Sequence, residues 1–137
     1  MTRLGQTAVK YNTANSATIA QNTDTVAFQA TITNTGIYTC SYQTRFSAPA
    51  TVFENSILTW MDVSNPAALT TFALTQISQT SPLELIAGAA MNGTWTGQIN
   101  AGATLRCNLF MTYTSALQTG YLTGGLSESY MTVTRIA

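Results

Sequence analysis

The stretch Thr25-Val26-Ala27-Phe28-Gln29-Ala30-Thr31-Ile32-Thr33, with Ile37-Tyr38-Thr39-Cys40-Ser41-Tyr42-Gln43-Thr44-Arg45-Phe46 after it, decides how this chain folds. In the first run Val26, Phe28, Ala30 and Ile32 fall on one side, and Thr25, Gln29, Thr31 and Thr33 largely on the other. A period of two belongs to a strand with one buried face. The second run repeats it, setting Tyr38, Cys40, Tyr42 and Phe46 against Thr39, Ser41, Gln43 and Arg45. Asn34-Thr35-Gly36 between them reads as a turn, with Gly36 free to take a positive φ.

Working outward, the same texture recurs. A short first strand is expected over 17–21. Further strands are expected over 57–63, before Ser64-Asn65-Pro66, and over 70–79, before Ser81-Pro82. Residues 83–91 are apolar and small, Asn92-Gly93 is a turn dipeptide, and 94–99 carries Trp95. Asn100-Ala101-Gly102 turns the chain into 104–114, Gly120 and Gly124-Gly125 mark a loop, and 129–136 closes as a strand. Helical periodicity is absent. Eight or nine short strands predict an all-β antiparallel fold, a sandwich or jelly roll. Residues 1–16 read as a polar N-terminal arm and 17–137 as one domain.

Charge then narrows the function. There are five basic and five acidic residues, no His and zero net charge, against 45% hydrophobic residues. Without a basic stripe there is no means of releasing counterions from nucleic acid or of holding an anionic membrane. A neutral surface lacks self-repulsion and favours association. The start, Met1-Thr2-Arg3-Leu4-Gly5-Gln6, shows no apolar export segment, so assembly in a host cytoplasm is expected. In that compartment Cys40 and Cys107 read as reduced, small buried hydrophobes, with a disulfide as the alternative.

Catalysis is not expected. A nucleophilic Ser or Cys needs a base, and only Asp24, Glu54, Asp62, Glu84, Glu128 or Lys10 could serve. No G-x-S-x-G and no phosphate-cradling GK[ST] occurs. No metal or cofactor is expected either, since His and paired Cys ligands are lacking.

Three segments resemble the C1q/tumour-necrosis-factor-like domains, including those of bacteriophage virion proteins. Gly36-Ile37-Tyr38-Thr39-Cys40-Ser41-Tyr42 is similar to their G-x-Y-x-x-x-Y strand. The segment from Asn92 to Leu105 resembles their turn between two late strands, with Ala103 where an acidic residue often stands. The end, Ser129 to Ala137, is similar to their terminal strand. The resemblance implies a trimeric jelly roll with Tyr42 and Tyr130 at the three-fold seam. Tyr38 lies close by and is read as core. For both seam residues the other reading is an intrasubunit core Tyr.

Two functions follow as expectations. The first is a non-enzymatic virion structural protein of a tailed bacteriophage, a decoration (cement) protein or short head spike. Its homotrimer would bind the major capsid protein through the arm 1–16 and multiply modest contacts by avidity. The second is a fibre or spike tip that recognises host glycan, with stacking by Trp60, Trp95, Tyr113 or Tyr121. Tyr121, in the Gly-rich loop, is its candidate ligand residue. Trp95 reads as a plug within a sheet, while Trp60 shares a face with Leu58 and Asp62.

Overall fold

The computed structural model describes residues 4–14, 16, 19, 22–47, 55–65, 70–80, 89–113 and 121–137. Nine strands follow in chain order: β1 (Thr7–Tyr11), β2 (Thr25–Thr31), β3 (Gly36–Ser47), β4 (Asn55–Asn65), β5 (Thr70–Thr80), β6 (Ala89–Ile99), β7 (Thr104–Tyr113), β8 (Tyr121–Leu122) and β9 (Tyr130–Arg135). One sheet has the order β1-β9-β3-β6, with β8 on the end of β3, and the other has the order β2-β7-β4-β5. Every pairing is antiparallel. Apart from the adjacent β4–β5 pair and from β8 and β9, which share a sheet, consecutive strands cross between the sheets, the pattern of two packed Greek keys, a jelly roll.

Alternation supplies the core. From the first sheet Tyr38, Cys40, Tyr42, Met131 and Val133 point inward; from the second Phe28, Ala30, Met61, Val63, Leu105 and Cys107 meet them. Ile32, Ile99 and Ala103 close one end, where Ile32 N–H donates to the Ala103 carbonyl and Gly102 N–H to the Ile32 carbonyl. Gly102 has φ +89°, a left-handed turn conformation that suits Gly.

Four sequence expectations are corrected. The arm 1–16 holds a strand: β1 pairs with β9 from Thr7↔Thr134 to Tyr11↔Tyr130, because backbone hydrogen bonds to a core strand outweigh a weak local pattern. Asn92-Gly93 is no turn and lies inside continuous β6. Its glycine is needed for closeness, since a Cβ there would overlap the Tyr42 ring. Gly36 is bare for a like reason: a Cβ would stand 2.6 Å from the Ala137 carbonyl oxygen. Val26 faces outward at 46% exposure, because a bulge between Val26 and Phe28 breaks the alternation. The strand expected over 17–21 lies outside the described residues except for Ile19, which is buried.

Candidate functional site

The two sheets turn very different surfaces outward. On the first, register lines up rows across four strands. Thr7, Thr134, Thr39 and Thr96 form one row; Val9, Thr132, Ser41 and Thr94 the next; Tyr11, Tyr130, Gln43 and Asn92 a third. None of these side chains is charged. Their hydroxyls bond to one another: Thr7 to Thr134 at 2.6 Å, Ser41 to Thr132 at 2.5 Å, Thr39 to Thr96 at 3.1 Å. Gln43 Nε2 donates to the Glu128 carbonyl at 2.8 Å, and Arg45 Nε stands 2.7 Å from Glu128 Oε2 at the rim. Hydroxyls satisfied in pairs lose little when water leaves, so this face can be covered at low cost.

Exposed apolar groups gather beside it. Six large apolar side chains are exposed among the described residues, and five of them belong to or flank the β1–β9 pair: Leu4, Val9, Tyr11, Leu126 and Ile136. Gly5 N–H donates to the Arg135 carbonyl and Gly125 N–H to the Asn12 carbonyl, which brings Leu4 and Leu126 to this edge.

The outer face of the second sheet carries Leu58, Trp60, Asp62 and Ser64 from β4, and Thr104, Arg106, Asn108 and Phe110 from β7. Arg106 grips Asp62 with two parallel bonds, Nε to Oδ1 at 2.8 Å and Nη2 to Oδ2 at 2.9 Å. Trp60 Nε1 also donates to Asp62 Oδ2, at 3.3 Å. The carboxylate holds the guanidinium's proton more firmly, raising the Arg106 pKa despite partial burial. Asn108, between Trp60 and Val26 in register, is 4% exposed, and its Nδ2 has no hydrogen-bond partner.

The predicted site residues divide. Tyr42 is not at a seam. It is 2% exposed, between the sheets, and its hydroxyl meets Thr59 Oγ1 at 2.9 Å across the sandwich. Tyr38 is core as expected, donating to the Asn34 carbonyl at 2.6 Å. Tyr130 lies on the outward face, half-buried between Tyr11 and Gln43. Tyr121 sits on β8 opposite Ser47, so its backbone is paired and not in an open loop. Trp95 packs on the core edge, its ring over Gly97, while the Tyr113 side chain lies outside the described set. Cys40 and Cys107 are buried and free. Burial raises both thiols, Cys40 to about 12, so neither forms a thiolate near neutral pH.

Among the described residues no group of three His, Cys, Asp or Glu could hold a metal. The hollow between Asn12, Ser16, Phe28, Thr123 and Ser129 has room for about a water molecule.

No family model and no curated protein matches this sequence. Solved structures do match. An Eiger TNF from S. frugiperda superposes with TM-score 0.67 at 15% identity, over 98% of this chain and 94% of that one. The fold is a TNF-like jelly roll. A chain in the structure of infectious bursal disease virus, Gx strain, matches with TM-score 0.57 and 10% identity over 98% of this chain. The Gt strain gives 0.57 and 8% over 96%. The TNF-like domain spans about a third of those viral chains, 34% and 33%.

Arg106 and Asn108 escape a sequence reading of this TNF-like domain. Leu105-Arg106-Cys107-Asn108-Leu109 shows polar residues alternating with apolar ones, as on any half-buried strand. Only the β4–β7 register, Asp62↔Arg106 and Trp60↔Asn108, brings them to Trp60.

Proposed function

We propose that the chain is a non-enzymatic virion structural protein, a trimeric decoration protein or short head spike of a tailed bacteriophage. The carrying observation is the first sheet's outer face, an uncharged layer of paired hydroxyls bordered by five exposed apolar side chains. A surface of that kind calls for a large, flat, neutral partner. A second copy of this chain offers one. On the sandwich's other side, the edge strands β5 and β6 contain no charged residue over 70–80 and 89–99. A face of one copy against the β5–β6 side of the next is a heterologous contact, which closes into a three-membered ring when successive copies are related by a 120° rotation. An interface of about 800 Å² per partner is standard, a modest share of the chain's 6927 Å².

Tyr130 and Tyr11 then lie at the covered face, where aromatic side chains contribute large contact area with few rotors to freeze. The contact with the shell protein falls to residues 1–6, ahead of β1, with Leu4 exposed at 65%. The likeness to chains of a virus structure is in keeping with a location in the virion.

Mass by light scattering over a concentration series tests the assembly. The expected species is three times 14.6 kDa. Thr132→Glu, in the middle of the hydroxyl face, should convert it to monomer and leave the far-ultraviolet spectrum unchanged. A monomer at every concentration, or a trimer indifferent to Thr132→Glu, would overturn the reading. Binding of the intact trimer to undecorated capsids then tests the virion role.

A further inference from the structure

Asp62 and Asn108 point away from the core, yet at 5% and 4% exposure they are as buried as core residues. Two bulges frame them. The register slips between Met61 and Asp62 in the β4–β5 pair, and between Val26 and Phe28 in the β2–β7 pair, where Val26 is Asn108's neighbour. These are the only register shifts in the described pairings. Bulges re-aim side chains and concentrate near functional sites. A buried amide donor without an acceptor is also destabilising and asks for a partner.

The surroundings say which partner. Asp62 and Arg106 neutralise each other through two bonds, so neither an anion nor a cation finds unmatched charge. Trp60 supplies a half-buried indole, with half-buried Leu58 and Phe110 near it. Gln29, exposed and opposite Arg106, adds a free-standing amide. A purely apolar ligand would leave the Asn108 donor unmet. What fits is uncharged, rich in oxygen acceptors, and has a flat C–H face for stacking.

We propose that this patch is a subsite for a neutral saccharide, with a pyranose ring on Trp60 and a sugar oxygen accepting from Asn108 Nδ2. In the free protein Nδ2 is closed over. Trp60 is its cross-strand neighbour and donates to Asp62 at 3.3 Å; binding by this route requires the indole to turn aside from the amide. The bidentate Asp62–Arg106 pair stays in place and fixes the rim. The patch lies on the sheet opposite the hydroxyl face, and its test does not depend on the assembly proposed above.

The test uses the full chain carrying Trp95→Phe, which leaves Trp60 as its one indole. Neutral oligosaccharides of glucose, galactose, mannose and N-acetylglucosamine are titrated while Trp60 fluorescence is followed. A saturable change with at least one of them is expected. Asn108→Leu should weaken that binding about tenfold or more and leave the thermal midpoint equal or higher, because an unmet donor has been removed. Trp60→Ala, followed by calorimetry, should abolish binding. No saturable change with any sugar overturns the proposal. So does a sugar bound equally well by Asn108→Leu. Should Trp95→Phe not fold, calorimetry on the unaltered chain reads the same two outcomes.

Discussion

The two outward faces are made by the same strand alternation, and they differ in how their polar groups are satisfied. The first sheet spreads paired hydroxyls evenly over β1, β9, β3 and β6, in register and without a bulge. The second concentrates an ion pair, an indole and an unmet amide between two bulges. An even surface of weak, satisfied groups suits a broad partner that needs no single residue. An uneven one places most of its free energy in a few side chains, which is how small ligands are recognised. The difference predicts that neutral truncations of single side chains should cost folding stability on the second face and barely register on the first.

The largest effect should come from Asp62→Ala. It strands the Arg106 guanidinium, whose side chain is 30% exposed beside a carboxylate that is 7% exposed. A fully buried pair broken this way costs 3–5 kcal/mol; with Arg106 partly solvated, about 2 kcal/mol is expected in urea unfolding. Next comes a pair of tyrosines. Tyr42→Phe leaves Thr59 without its cross-sandwich bond and should cost about 1–2 kcal/mol, whereas Tyr130→Phe on the outward face should stay within about 0.5 kcal/mol. Equal losses would return Tyr42 to the surface and contradict its burial. The smallest effect is expected from Ser41→Ala, about 0.5 kcal/mol in the monomer. Should Ser41→Ala cost as much as Asp62→Ala, the contrast between even and uneven faces would be gone.

Much of the architecture is legible along the chain. Clean alternation over 37–46 reads as β3 with the right residues inward, and Leu58, Trp60 and Asp62 are correctly placed on one face. What failed depends on distant neighbours. Asn92-Gly93 has the composition of a turn, and only the Tyr42 ring, far away in sequence, explains why its glycine sits mid-strand. β1 is a five-residue edge strand with Lys10 and Tyr11 in it, too short to show a period. It is held by β9 from the other end of the sequence. Tyr38 and Tyr42 share a face by alternation, but alternation does not say whether that face meets the second sheet or another molecule. The candidate sugar site was half visible: Trp60 and Asp62 are local, while Arg106 and Asn108 arrive through register alone.

The position of β9 between β1 and β3 has a consequence for how the protein is made. The second sheet has all four of its strands once β7 has left the ribosome. The first does not, because β9, one of its two central strands, comes after β7 in chain order. Until then β1 has no neighbour in that sheet, and the inward faces of β2, β4 and β7 lack the Met131 and Val133 that complete their cover. Closure of the sandwich therefore waits on β9, the ninth of the nine described strands. Folding is dominated by contacts between residues far apart in sequence, which is the slow regime for domains of this size.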